Sequence, residues 1–133
     1  MKFSTKTTYG LRSMINLAKK FGQGSVPLSM IAKEESISQK YLEKIFSRLK
    51  KSDLIIAEKG ISGGYVLSQK PKKISILEIV NALEGKLSLF HCLSENEDVV
   101  CNLKYNCGAT EVLLKVQQAI NGTLKKIKLS DLV

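Results

Sequence analysis

The sequence has 133 residues, 44% of them apolar, which predicts one globular domain with a single hydrophobic core. No apolar run approaches the roughly 18 residues of a membrane span, and the first residues lack a secretion signal, so we expect a cytoplasmic protein with no membrane partner. The net charge is uneven: residues 1–73 carry 15 Lys and Arg against 5 Asp and Glu, whereas residues 74–133 carry 6 against 7. A basic half of this kind favours nucleic acid as the partner, with a merely solubilising surface as the alternative.

Two helices are predicted at the start of the basic half. Apolar residues recur at helical spacing from Ser4 to Phe21, which predicts an amphipathic helix. Its predicted inner face consists of Leu11, Ile15, Ala18 and Phe21. Ser29 is a plausible N-cap for a second, short helix that runs through Glu35 and is followed by a tight break at Ser36.

The third predicted helix has the character of a helix that reads DNA. Ser38 can cap it, and Ile37 and Leu42 can form a hydrophobic staple across the cap. The predicted inner stripe is Tyr41, Leu42, Ile45, Phe46 and Leu49, and the outer face is Gln39, Lys40, Glu43, Lys44 and Ser47. The outer side chains can bond to base edges or phosphate, as a helix in the major groove must. An ordinary solvated face has the same composition, so this helix alone does not decide the function.

A basic β-hairpin is predicted next. Its strands are Leu54–Ala57 and Tyr65–Leu67, and its tip contains Gly60, Gly63 and Gly64, with Lys59 near the edge. Two short helices followed by a hairpin is the order of a winged helix-turn-helix domain, in which the second short helix enters the major groove. Glycines also occur in hairpins that touch nothing, but order and charge together favour DNA binding. We therefore predict that Ser38, Gln39, Lys40, Tyr41, Glu43 and Lys44 contact phosphates or base edges.

The second half is predicted to be helical and to form a dimer. Ser75 and Glu78 have the spacing of a capping box, which predicts a helix that ends at Gly85. A long helix is predicted from Thr110 to about Lys128, with an apolar stripe of Leu113, Val116, Ile120, Leu124 and Ile127. Because little core is left to receive this stripe, we expect it to pair two subunits. The predicted fold class is mostly α with a small β-hairpin wing, with residues 1–73 as the DNA-binding region and residues 74–133 as the cysteine loop and dimerisation helices.

All three cysteines, Cys92, Cys101 and Cys107, lie within 16 residues between these two helices. In a reducing cytoplasm such a group is more often a metal or redox site than a disulfide framework. There is no Ser/His/Asp set or phosphate-binding glycine loop, and the chain has one histidine, so an enzyme is the least expected class.

The chain resembles the Rrf2 family of winged-helix transcriptional regulators. The residues that carry the resemblance are Tyr9-Gly10-Leu11, Ile31-Ala32, Tyr41-Leu42-Glu43 with Leu49, the wing at residues 59–67 and the tail at residues 128–132. The resemblance implies a homodimeric repressor or activator whose recognition helices enter successive major grooves of a pseudo-palindromic operator in double-stranded DNA. It also implies that the wing reaches the DNA, with Lys59 in the minor groove and Gly63 and Gly64 beside it.

The cysteine-bearing branch of that family holds an iron-sulfur cluster, and the three cysteines fall where its ligands do. The resemblance therefore implies a cluster bound by Cys92, Cys101 and Cys107, with two irons favoured over four. It also implies that this cluster senses iron-sulfur status, nitric oxide or redox state. A fourth ligand could be His91, Glu95, Glu97, Asp98, a residue of the partner subunit, water or a small thiol. The first alternative is a regulator controlled by a thiol-disulfide switch or by a partner enzyme, without a cluster. The second is a basic protein-binding module.

Overall fold

Five α-helices and one two-stranded hairpin make up the described part of the chain, which in this computed structural model comprises residues 3–61, 63–85, 90, 93–94, 96–98 and 107–133. The elements are α1 (Thr5–Lys19), α2 (Leu28–Glu35), α3 (Gln39–Lys51), β1 (Ile55–Glu58), β2 (Gly64–Leu67), α4 (Ile76–Glu84) and α5 (Gly108–Lys126), with short 3-10 helices at Pro71–Lys73 and Leu129–Leu132. The predicted fold class is confirmed. No helix among these residues is long and apolar enough to cross a bilayer.

The buried face of α1 differs from the predicted one. Met14 and Leu17 lie in the core, whereas Phe21 is 44% exposed because the helix ends at Lys19, before Phe21 is reached. Gly10 sets the buried face, since a Cβ atom there would lie 2.2 Å from Leu83 Cδ1. Because Gly10 has no side chain, α4 can pack closely against α1 at this point, and the face of α1 that contains Gly10 is the buried one.

The start of α2 also corrects the sequence interpretation. The N-cap is Pro27, not Ser29, because the φ of −61° that proline imposes suits the entry into a helix. Ser29 instead lies exposed in the first turn. The predicted break is confirmed: Ser36 adopts the left-handed conformation with φ 56°, and Ile37 N–H donates to Ala32 O at 3.0 Å.

A single hydrophobic core runs through both halves of the chain. The capping box of α4 is formed as predicted, with Ser75 Oγ accepting from Glu78 N–H and the Glu78 carboxylate accepting from Ser75 N–H. This fixes the start of a helix whose Ile79 and Leu83 are fully buried. The core cluster joins them to residues of α1 and α3 and to Leu129 near the C-terminus.

The long helix α5 is continuous through Gly122, and its end returns to the start of α4. Ile76 N–H donates to Ile127 O at 2.9 Å, and Leu129 N–H donates to Ile74 O at 2.8 Å. A β-bridge between Ser75 and Lys128 lies between these bonds. The C-terminal end of α5 is therefore fixed to the N-terminal end of α4.

Candidate nucleic-acid interface

Helix α3 presents its polar face outward, as predicted. Ser38 Oγ accepts from Tyr41 N–H at 3.1 Å and so caps the helix, while Ile37 and Leu42 are buried beneath it. The inner stripe is buried except for Tyr41, which is half-buried. The residues predicted to contact DNA are exposed: Ser38, Gln39, Lys40, Glu43 and Lys44.

Tyr41 is fixed by the start of α1. Its ring meets that of Tyr9 edge-on, with centroids 5.7 Å apart and an interplanar angle of 88°. Its hydroxyl lies 3.1 Å from Thr5 Oγ1. Both contacts hold the phenol at the rim of the exposed face, where its oxygen can reach a phosphate.

A basic groove of about 510 Å³ lies between the start of α1 and the outer face of α3. Its cationic lining is Lys6, Lys40, Lys44, Arg48 and Lys51, with Glu43 among them. Lys6, Arg48 and Lys51 were not among the residues predicted from the sequence. The spacing of Lys40, Lys44, Arg48 and Lys51 by 4, 4 and 3 residues places them on one side of a helix and could have revealed them. A concave row of cations is suited to a polyphosphate backbone.

The first helix of the predicted helix-turn-helix, α2, is joined to α1 by ion pairs. Arg12 pairs with Glu35, and its guanidinium also donates to Glu35 O. Lys20 Nζ lies 2.5 Å from Glu34 Oε1, and this bond holds the pKa of Glu34 below its ordinary value. These contacts hold α2 against α1, and α3 follows α2 directly after the turn at Ser36.

The wing is formed within one residue of the predicted strands. Ile55 pairs with Leu67 and Glu58 with Gly64, and at the tip Gly63 N–H donates to Gly60 O at 3.0 Å. Gly60 has φ 121°, a conformation that side chains rarely adopt. Lys59 is exposed at this tip.

Gly63 and Gly64 have a structural role in the wing that the sequence did not reveal. A Cβ atom on Gly64 would lie 2.2 Å from Val26 O, and one on Gly63 would lie 2.7 Å from Glu58 O. Next to Gly64, Val26 and Tyr65 exchange backbone hydrogen bonds of 3.0 and 2.9 Å. Close backbone approach explains both glycines, and contact of either with DNA stays a prediction.

Of the three cysteines, Cys107 lies in the described part of the chain, whereas Cys92 and Cys101 lie outside it, as do His91 and Glu95. Cys107 is the N-cap of α5, and hydrogen bonds from the hydroxyl and the backbone N–H of Thr110 lower the pKa of its thiol. A thiol that ionises readily suits a soft metal as a ligand, so the donor chemistry of Cys107 fits an iron-sulfur cluster. Within the described residues no three Cys, His, Asp or Glu side chains are grouped to hold a metal ion.

The middle of the cysteine segment is attached to α5. Ser94 Oγ accepts from Asp98 N–H at 3.0 Å, and Ser94 N–H donates to Asp98 O at 2.8 Å, which closes a compact turn. Gln117 of α5 is fully buried and donates from Nε2 to Ser94 O at 3.0 Å. Ser94, which lies between the first two cysteines in the sequence, is thereby bonded to the helix that begins after the third.

Comparison with known proteins gives a consistent family assignment. Residues 3–133 match the model of the Rrf2 family, described as an iron-dependent transcriptional regulator. The transcriptional regulator CymR of Bacillus subtilis is 36% identical over 132 residues, covering 99% of this chain and 89% of CymR. The structure of B. subtilis CymR, described as the global cysteine regulator, matches with a TM-score of 0.83 at 34% identity over 99% of this chain and 95% of that one. The structure of T. potens IscR matches with a TM-score of 0.78 at 33% identity over 98% of this chain and 85% of that one.

Proposed function

The chain belongs to the Rrf2 family of transcriptional regulators and is not an enzyme, and on that premise we propose that it binds a pseudo-palindromic DNA operator as a homodimer. The observation that carries this proposal is the exposed outer face of α3 beside the basic groove. The face has polar side chains suited to base edges, and the groove has cations suited to phosphates.

In the proposed complex α3 lies in the major groove. Lys40, Lys44 and Arg48 neutralise phosphates, which gives salt-dependent affinity without sequence information. Gln39 and Glu43 face the base edges, where a carboxylate can accept from a cytosine amino group. Because an acid near phosphates costs affinity, Glu43 contributes discrimination more than strength.

The wing supplies the second contact. Lys59 stands exposed at the tip of the hairpin, and the Val26–Tyr65 bridge fixes the second strand of the hairpin to the loop before α2. Tyr65 also packs edge-on against Phe46 of α3, with ring centroids 4.9 Å apart. The wing is therefore packed against α3, and in the proposed complex Lys59 enters the minor groove while α3 occupies the major groove.

The homodimer is proposed from the outer face of α5. Val112 is 60% exposed and Val116 is 36% exposed, although both are apolar and lie one helical turn apart. Pairing this face with its copy about a two-fold axis would remove both from water. Such an axis would also place two α3 helices to match the half-sites of a pseudo-palindrome.

For the signal we propose an iron-sulfur cluster held by Cys92, Cys101 and Cys107. The family description as iron-dependent, the likeness to IscR and the ready ionisation of Cys107 support this assignment. When bound, the cluster would supply a centre that oxygen, nitric oxide or iron shortage can dismantle.

A thiol switch is the second candidate, and the likeness to CymR favours it. The relative with 36% identity is a CymR, whose structure is described as that of a global cysteine regulator. In this mechanism two of the three thiols join in a disulfide and give two electrons and two protons to an oxidant. Iron and sulfide analysis of anaerobically reconstituted protein, with mass spectrometry of free thiols, separates the two: bound iron supports the cluster, and a reversible disulfide without iron supports the switch.

The DNA proposal is tested by selecting fragments from genomic DNA with reduced, reconstituted and oxidised protein. We expect enrichment of one pseudo-palindromic sequence in at least one state, with affinity that falls steeply as salt increases. Glu43→Ala should broaden the selected set, whereas Glu111→Ala on α5 serves as the matched control and should leave it unchanged. A protein that enriches no sequence in any state would overturn the proposal.

A further inference from the structure

The N-terminus of α1 is capped by a carboxylate from another helix. Glu84, the last residue of α4, accepts on Oε1 from Ser4 N–H at 2.8 Å, from Ser4 Oγ–H at 2.5 Å and from Thr7 Oγ1–H at 2.7 Å. The first turn of α1 contains no acidic residue, and the Ser4 side chain does not cap its own helix. Glu84 thus provides the acceptor and the negative charge that the start of α1 lacks.

The end of α1 that Glu84 caps belongs to the DNA-binding face. Lys6 lines the basic groove, and Thr5 Oγ1 lies 3.1 Å from the Tyr41 hydroxyl at the rim of α3. Both residues lie between Ser4 and Thr7 in the sequence, the two that bond to Glu84. Fraying of this turn would therefore displace a groove cation and release Tyr41 together.

The same end of α4 leads directly into the cysteine segment. Gly85, with φ 83°, follows Glu84, and Cys92 comes seven positions after Gly85. Arg48 of α3 donates from Nη1 to Leu83 O at 3.1 Å, so the last turn of α4 is also bonded to the recognition helix. The last turn of α4, which holds α1 and α3, is therefore the part of the described fold that the chain joins directly to the cysteine segment.

We propose that Glu84 is the positioning residue through which the state of the cysteine segment controls the DNA-binding face. The inference rests on the proposed function, because it requires operator binding that depends on the cysteines. In the state that binds DNA, Glu84 caps α1 and keeps Lys6 and Tyr41 in place. In the other state, displacement of the end of α4 breaks the three bonds to Ser4 and Thr7, and the first turn of α1 loosens.

The test measures operator affinity in three states for each variant: reduced with dithiothreitol, reconstituted with ferrous iron and sulfide, and oxidised with diamide. For the wild type we expect at least one pair of states to differ by a factor in the range of about 5 to 150 that is typical of coupled sites. Glu84→Ala should lower the ratio of operator affinities between those two states to about 2 or less, below the range typical of coupled sites. Glu111→Gln, an exposed acid on α5 that pairs with Lys115, is the matched control and should keep the wild-type ratio.

A merely structural role of Glu84 would weaken binding in all states alike and leave the ratio unchanged, and that result would overturn the inference. Should Glu84→Ala not fold, the double variant Ser4→Ala, Thr7→Val removes the side-chain donors, leaves Glu84 intact and should reduce the ratio as well. If the wild type binds the operator equally in all states, both the proposed control by the cysteines and this inference are overturned, whereas the proposal of DNA binding stands. Protein that binds no operator in any state would overturn the proposed function itself.

Discussion

Replacing Gly64 by alanine should destabilise the protein through backbone crowding. The added Cβ would lie 2.2 Å from Val26 O, 2.4 Å from Val26 C and 2.7 Å from Pro27 N, all of them backbone atoms that cannot turn aside. To relieve the clash, the wing must separate from the loop before α2 and break the two hydrogen bonds between Val26 and Tyr65.

The expected loss follows from these contacts. Two backbone hydrogen bonds contribute about 2 kcal/mol together, at roughly 1 kcal/mol each. Overpacking adds about 1–3 kcal/mol if the clash is only partly relieved. We therefore expect Gly64→Ala to lower the free energy of unfolding by about 3 kcal/mol, which lies among the larger effects of single substitutions.

Urea unfolding followed by circular dichroism, at one fixed protein concentration, measures this loss. Gly122→Ala is the matched control, because Gly122 lies in α5 and an added Cβ would meet nothing within 4 Å apart from the adjoining backbone of its own helix. This control should stabilise the protein by up to about 1 kcal/mol, since alanine favours a helix. A Gly64→Ala variant within about 0.5 kcal/mol of the wild type would refute the reasoning, because so small a change is ordinary for a surface site without such contacts.

Three further predictions concern a cap, a phosphate contact and a titrating carboxyl. Ser75→Ala should lower the free energy of unfolding by about 1 kcal/mol, because the capping box of α4 loses its hydroxyl, and urea unfolding beside an exposed Ser47→Ala control measures this. Lys44→Ala should reduce the slope of log affinity against log salt by about 1, measured by fluorescence anisotropy on the selected operator; an unchanged slope would exclude a phosphate contact at Lys44. Burial raises the pKa of the Glu84 carboxyl, but the hydrogen bonds from Ser4 and Thr7 outweigh it, so the pKa in the folded state lies below the ordinary 4.5. This stabilisation is present above that ordinary value and is lost as the pH falls through the lowered pKa, so the wild type should lose more stability than Glu84→Gln between about pH 5 and pH 3. Equal acid sensitivity of the two proteins would contradict it.

Local features of the fold could be predicted from the sequence. The caps at Ser38 and Ser75 were found because a cap and its partner lie three residues apart, and both bonds are present. The hairpin was located within one residue because glycines and alternating apolar residues lie next to each other in the chain. Both features depend on residues that are close together in the sequence, so the sequence alone shows them.

Features that join distant residues could not be predicted in this way. Glu84 and Ser4 are 80 positions apart, and neither has a neighbour that indicates the other. The close approach of Gly10 to Leu83 likewise depends on how two helices pack, and it decided which face of α1 is buried. The groove cation Lys6 was missed for the same reason, since α1 and α3 meet only in the folded chain.

The bonds that join Ile74 and Ile76 to Leu129 and Ile127 hold the start of α4 against the end of α5, although the cysteine segment separates these two helices in the sequence. Because of these bonds, the C-terminal end of α5 cannot move away from α4 without breaking backbone hydrogen bonds. If the cysteine segment changes shape, we expect the change to act at its two ends, which are the end of α4 and the start of α5 at Cys107. Since the end of α4 is bonded to α1 and α3, such a change would reach the proposed DNA-binding face before it reached the residues that follow α5.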